Sequence, residues 1–152
     1  MAQEIERKFL IDQTHPEVTA LMQTKGSHIK QGYIMSDPKG VVRVRRMDDK
    51  AYLTIKGPNT GITRDEFEYQ IPVEHAEHLL ATMCSKIIEK QRYAYPLENG
   101  HFAEVDVFPQ IDLWLAEVEL PTKDTDFQKP DWFRKEVSTD PYYFNNNIAK
   151  RI

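Results

Sequence analysis

A single cysteine, Cys84, stands in this chain of 152 residues, so no disulfide can form within it and nothing points to an oxidising compartment. The cytoplasm is the expected location. No apolar run approaches the ~20 residues needed to cross a bilayer, and the opening Met1 to Lys8 stretch has no apolar leader, so neither secretion nor membrane insertion is expected. A positive excess is also missing. The net charge of −4 excludes the usual nonspecific binder of nucleic acid or membrane surfaces, and any anionic ligand must be met by locally concentrated charge. There is no repeat, low-complexity tract or dividing linker, so residues 1–152 read as one domain. Hydrophobic residues make up 40%, enough to bury a core that folds alone.

The periodicities predict strands over Glu4–Ile11, Ser27–Met35, Val41–Asp48, Ala51–Lys56, Thr63–Ile71, Ile87–Tyr95, His101–Phe108 and Leu113–Leu120. Thr14-His15-Pro16-Glu17 resembles a capping box opening a helix that carries Val18, Leu21 and Met22, with Gly26 at its close. Ala76, Leu79, Leu80 and Met83 give Val73–Lys86 a second amphipathic helix. Asp37-Pro38-Lys39-Gly40 and Asn99-Gly100 suit turns. Asp140-Pro141 opens a short helix holding Tyr142, Tyr143 and Phe144, which read mostly as packing. His75 and His78 lack the spacing of a zincin, and Gly57–Gly61 lacks the Gly-Lys-Ser/Thr ending of a P-loop. Trp114, Val118 and Leu120 share one strand face and read as core under a helix.

One face of each strand is charged, and the charges are sorted by sign. Glu4/Glu6, Glu66/Glu68, Glu104/Asp106 and Glu117/Glu119 are acidic pairs two residues apart, while Arg43/Arg45 and Lys90/Arg92 are basic ones. On any single strand such residues simply face water. Sorted doublets are different, because i and i+2 lie about 7 Å apart on one face and repel unless a counter-charge intervenes. Carboxylate doublets suit magnesium or manganese, and basic doublets suit phosphate oxygens. Eight strands are about the number whose closed barrel holds one small ligand. Facing inward, the seven bases and eight acids of these strands would need each other or a ligand.

Glu4-Ile5-Glu6-Arg7-Lys8 matches the Glu-x-Glu-x-Lys signature of the CYTH superfamily, the triphosphate tunnel metalloenzymes. In order follow Gln31-Gly32-Tyr33, Val42-Arg43-Val44-Arg45, Leu53 to Gly57, Arg64 to Tyr69, Lys90-Gln91-Arg92-Tyr93 and Ala116 to Leu120. The chain therefore resembles the small bacterial members over nearly its whole length. The resemblance implies an α+β fold, a closed antiparallel eight-stranded β-barrel with helices packed outside. It implies metal-dependent hydrolysis of a triphosphate, first of all inorganic tripolyphosphate to pyrophosphate and phosphate, with Mg2+ or Mn2+.

Carried over by residue, Lys8, Arg43, Arg45, Lys56, Arg64, Lys90 and Arg92 would bind substrate. Glu4, Glu6, Glu117 and Glu119 would hold metal, helped by Glu68, Glu104 and Asp106, with Glu66 pairing instead with an arginine. Lys90, Tyr33 and Arg45 take the catalytic roles, Tyr33 reaching the tunnel beside a glycine that lets the chain bend. The alternatives are a nucleoside or thiamine triphosphatase, a class IV-type adenylyl cyclase, and a noncatalytic polyphosphate sensor. Partners are a small-molecule triphosphate, no nucleic acid and no membrane, with a homodimer through outward strands left open.

Overall fold

The computed structural model describes residues 3–152. Its strands are β1 (Gln3–Ile11), β2 (Ser27–Asp37), β3 (Gly40–Met47), β4 (Lys50–Lys56), β5 (Thr63–Ile71), β6 (Ile87–Pro96), β7 (Phe102–Phe108), β8 (Leu113–Glu119) and β9 (Phe133–Glu136). The helices are α1 (Pro16–Leu21), α2 (Val73–Met83) and α3 (Asn145–Ile148). All pairings are antiparallel, in the order β5-β4-β3-β2-β6-β7-β8-β1-β9, and β5 returns to β1. Eight strands thus close into the expected barrel.

Closure depends on β1. One of its edges pairs with β8 from Glu6 to Leu10; the other pairs with β5 over Gln3–Ile5 and then with β9 at Phe9 and Ile11. β9 was not foreseen, because its four residues are too few for a legible alternation. It is held by its flank rather than by its own pattern. Trp132 is fully buried and Phe133 nearly so, stacked with Phe9 in a cluster that α1 completes with Val18 and Leu21. Val118 and Leu120 lie in this cluster with Trp114 against it, as expected of that face. α2 covers Val44 and Ala51 with Ala76 and Leu80, leaving His75 and His78 exposed. The remaining outer face carries an apolar row formed by the register Met35–Val42–Ile55–Phe67, with Met35, Ile55 and Phe67 exposed.

Inside, four strands change character along their length. Each inward row runs from apolar to charged with period two: Leu10, Lys8, Glu6 on β1; Ile88, Lys90, Arg92 on β6; Phe108, Asp106, Glu104 on β7; Leu115, Glu117, Glu119 on β8. The apolar ends meet Val137, Ile148 and Ala149 from the C-terminal segment. That segment fills one end of the barrel and leaves a blind pocket at the other. Among the described residues, no helix is long and apolar enough to cross a membrane.

Several local expectations shift. Thr14 does not cap α1: its N–H and hydroxyl both donate to Asp12 Oδ1 in the turn before the helix, and His15 is the cap, its Nδ1 accepting from the Glu17 N–H. The helix stops at Leu21, so Gly26 is not its cap but a close approach, where a Cβ would lie 2.9 Å from Tyr93. α2 ends at Met83 rather than Lys86, with Cys84 already extended. Asp140 does cap a turn at Pro141–Tyr143, but Phe144 is extended and α3 begins after it. Asn99 and Gly100 both have positive φ, as the dipeptide suggested.

Gly32 is not where β2 bends, since the register shift falls between Tyr33 and Met35. Its purpose is proximity: a Cβ there would sit 2.7 Å from Cys84 Cβ and 3.0 Å from Ile87 Cδ1. Gly32→Ala should therefore destabilise the fold by about 1–3 kcal/mol through overpacking. Chemical denaturation checks this, and an unchanged midpoint would show that the Cys84 segment moves aside freely.

Candidate active site

The charged end of the barrel encloses a cavity of ≈ 260 Å³. Six of the seven expected bases line it, Lys8, Arg43, Arg45, Lys56, Arg64 and Arg92, with seven acids, Glu4, Glu6, Glu66, Glu68, Glu104, Glu117 and Glu119. The strand order sets them out. β7, β8 and β1 are neighbours and carry five of the acids, while Arg43 and Arg45 on β3 lie four strands from Glu117 and Glu119 on β8, across the barrel.

The acidic wall opposes like with like. Glu6 is the register partner of Glu119, and Glu104 that of Glu117. Directly opposed like charges destabilise a sheet. The electrostatics record the strain. Burial, with Glu117 and Glu4 nearby, raises the Glu6 carboxyl well above its ordinary value. Glu119 is raised by partial burial and by Glu4 and Glu104. Glu117 is driven the other way: burial opposes its charge, but Lys8, Arg92 and Lys90 outweigh it and hold the carboxylate well below the ordinary value. Its Oε1 is nonetheless buried without a hydrogen-bond partner.

The basic wall is similarly under-compensated. Arg43 donates from Nη2 to Thr54 Oγ1 at 3.2 Å and Glu68 Oε2 at 3.4 Å, but its buried Nε has no partner. Arg45 donates to Gln31 Oε1 at 2.9 Å, and burial with Arg43 and Arg92 nearby lowers its guanidinium to about 9. Lys56 is the better satisfied, held by both oxygens of Glu4 at 3.0 Å and by Glu66 at 3.2 Å. Glu66 thus pairs with a lysine, not an arginine. Arg64 grips the Gly57 carbonyl through two nitrogens at 3.0 and 2.7 Å, which fixes the rim loop.

Two expected site residues stand behind the wall. Lys90 and Asp106 do not line the cavity and have no exposed side-chain surface. Lys90 Nζ donates to Asp106 Oδ2 at 2.7 Å, and Arg92 reaches the same carboxylate from Nε and Nη2 at 2.8 and 2.9 Å. Both oxygens of Asp106 are taken by bases, which leaves it none to offer an ion. Burial lowers the Lys90 ammonium to about 7 against the pull of Asp106.

Tyr33 lines the cavity, its hydroxyl accepting from Gln31 Nε2 at 3.2 Å. The C-terminal segment adds Ser138, Phe144, Asn145 and Asn146, which no strand periodicity could place there. A run of three asparagines after Phe144 was the only available signal.

Among the described residues, no three His, Cys, Asp or Glu side chains already converge as a cage for an ion. That is compatible with magnesium, which keeps several waters and uses one or two carboxylates together with substrate phosphates. The self-repelling Glu6, Glu117 and Glu119 set, with one orphaned carboxylate oxygen, fits such an ion.

These shifts predict a pH effect without metal. The Glu6, Glu66 and Glu119 carboxyls are raised above 4.5, so the folded state holds more protons than the unfolded one just above that pH. Their contribution to stability is present below it and lost as pH rises through the folded values. In chelator, the melting temperature should fall across that window, and Glu6→Gln should flatten the fall. An identical slope in wild type and Glu6→Gln would deny Glu6 this part.

Comparison with known proteins agrees with the geometry. The family model described as CYTH domain matches residues 2–152. A protein named inorganic triphosphatase from Acetivibrio thermocellus is 45% identical over 99% of this chain and 95% of its own length. Another of that name from Nitrosomonas europaea is 34% identical, covering 98% of each. The crystal structure of an inorganic triphosphatase superposes with a TM-score of 0.66 at 32% identity, over 100% of this chain and 97% of the other. A Hippeastrum protein at 15% identity shares the fold, with a TM-score of 0.59 over 78% of this chain and 80% of its own. A barrel whose inward charges occupy the signature positions in order, matched end to end by the family model, places this chain in the CYTH family.

Proposed function

We propose that the chain is a metal-dependent triphosphatase that hydrolyses inorganic tripolyphosphate to pyrophosphate and phosphate. The observation that carries this reading is the pairing of Glu6 with Glu119 and of Glu104 with Glu117, facing Arg43 and Arg45 across one small cavity. Neither wall is comfortable alone. A metal-bound polyanion satisfies both, because it brings cations to the acids and oxygens to the bases. The volume of ≈ 260 Å³ falls below the ~300–1,000 Å³ of pockets that take drug-sized ligands, which favours a compact inorganic anion over an enclosed nucleotide.

In this reading Lys8, Arg43, Arg45, Lys56 and Arg92, all of which line the cavity, take the phosphate oxygens, with Arg64 at the rim. Glu6, Glu117 and Glu119, assisted by Glu4 and Glu104, would hold Mg2+ or Mn2+. When bound, such an ion neutralises phosphate charge and acidifies coordinated water. The bases fix the chain of phosphates so that water can approach one end in line with the bond that breaks, and they stabilise negative charge on the departing bridging oxygen. Arg45 serves this best: short of counter-charge and already oriented by Gln31, it is preorganised for an oxyanion. Glu68 is occupied by Thr54 and Arg43, and acts here by orienting Arg43.

Phosphate release from tripolyphosphate, ATP, GTP and thiamine triphosphate, with magnesium or manganese and cyclic AMP followed in parallel, tests the reading. Tripolyphosphate should be the best substrate, and metal-independent binding without turnover would point to a sensor instead. Arg45→Ala should lower kcat/KM by about 10²-fold.

Glu119 makes no ion pair among the described residues, whereas Lys56 bonds Glu4 and Glu66. Glu119→Gln should therefore depress turnover at ordinary metal concentration while leaving metal-free tripolyphosphate binding intact or tighter. Lys56→Ala should weaken that binding with or without metal. Calorimetric titration separates the two, and equal weakening by both variants would assign Glu119 to holding the barrel rather than a metal.

A further inference from the structure

The cavity's closed end carries a polar group that the charge pattern does not contain. Asn145, the first residue of α3, lines the cavity between Phe144 and Asn146. Its Oδ1 accepts two hydrogen bonds, from Lys90 Nζ at 3.0 Å and from Gln31 Nε2 at 3.2 Å. That decides which way the amide points. Turned over, its NH2 would face an ammonium and another amide NH2, three donors with no acceptor among them. With the oxygen fixed to the wall, Nδ2 is the end left for the cavity, and it has no protein acceptor among the described residues. Gln31 is fully buried and is itself fixed by Arg45 Nε on its oxygen, while Lys90 is fixed by Asp106. A connected line therefore runs Arg45–Gln31–Asn145–Lys90–Asp106–Arg92, with the two arginines and the amide at the cavity and the rest behind it.

Resting on the triphosphatase reading, we propose that Asn145 Nδ2 is a substrate-contacting donor to a phosphate oxygen at the closed end, and that Lys90 acts as a positioning residue through it. A neutral donor suits that place. Lys90 already holds Asp106 and Arg45 has no carboxylate partner among the described residues, so a further cation there would meet no free anion and would cost desolvation that an amide avoids. Lys90, screened from the cavity, contributes by orienting Asn145 on one side and Asp106 with Arg92 on the other. The C-terminal plug is then part of the binding site, because it delivers the amide.

Asn145→Ala, Asn145→Asp and Lys90→Met are compared with wild type for KM and kcat on tripolyphosphate and for calorimetric Kd of metal-free tripolyphosphate, each with its melting temperature. Asn145→Ala should raise KM and Kd about tenfold or more, as expected for losing a hydrogen bond to a charged group. Asn145→Asp keeps the shape and the contact to Lys90, so the plug stays seated, yet it points a carboxylate at phosphate and should bind worse than Asn145→Ala. The double variant Lys90→Met with Asn145→Ala should lose less than the product of the single losses, since the two act along one line. If Asn145→Asp binds as wild type does, or Asn145→Ala shifts only the melting temperature, Asn145 merely seats the plug and the proposal fails. Wild type that binds tripolyphosphate without cleaving it removes the hydrolase reading, and the Kd comparison still decides the Asn145 contact. Wild type that does not bind it overturns both.

Discussion

The arrangement of this barrel depends on one buried carboxylate. Asp106 is completely enclosed and accepts from Lys90 and twice from Arg92, the latter through a fork. Desolvating three such charges costs several kcal/mol per ion before their attraction is counted, and only excellent geometry recovers it. The geometry here is excellent, with three bonds between 2.7 and 2.9 Å. Removing Asp106 alone would leave the enclosed Lys90 ammonium without a carboxylate and Arg92 with Glu104 as its remaining hydrogen-bonded acid. Its effect is to hold the Arg92 guanidinium at the cavity edge, where Glu104 at 3.1 Å steadies the opposite nitrogen.

The rest of the cavity is the reverse case, charge left without full compensation. Orphaned groups such as Arg43 Nε and Glu117 Oε1 each cost about 1–3 kcal/mol or more when buried. A chain of this size tolerates them because its hydrophobic support lies elsewhere: Phe9, Trp132 and Phe133 outside one wall, α2 on Val44 and Ala51 outside another, and Ile88, Phe108 and Leu115 at the closed end. Stability and binding are thus separated in space. The apolar-to-charged gradient along β1, β6, β7 and β8 brings both into one barrel without mixing them.

Much of this was legible because a strand has a period of two. Alternation placed all eight barrel strands, and it assigned Glu4, Glu6, Arg43, Arg45, Glu117 and Glu119 to the inner face. It could not distinguish depth. Lys90 and Arg92 share a face and a charge, yet one is behind the wall and the other at its surface, because Phe108 and the C-terminal segment cover only the deeper position. β9 and the asparagines after Phe144 were hidden for a different reason. Their places are set by tertiary contacts to Phe9, Gln31 and Lys90, far away in sequence, and short irregular segments carry no periodic signal. The capping expected of Thr14 falls to its neighbour, since Asp12 Oδ1 takes both the Thr14 hydroxyl and its N–H in a local turn while His15 Nδ1 receives the Glu17 N–H.

The C-terminal segment is where these separate arguments meet. Lys8 Nζ donates to the Tyr143 carbonyl at 2.9 Å and Val137 N–H to the Lys8 carbonyl at 2.8 Å, so the plug is tied to the strand that closes the barrel. β1 therefore joins three duties: it supplies Glu4 and Glu6 to the acidic wall, completes the sheet between β8 and β5, and anchors the chain that seals the apolar end. A loosened plug would admit water to the Ile88–Leu115 end and remove the cover from Lys90. Solvation would then favour the charged ammonium, and the under-compensated basic wall would lose its preorganisation. The blind pocket is for this reason an electrostatic device as well as a steric one, since the segment that closes it also keeps the charges at its base dry enough to act.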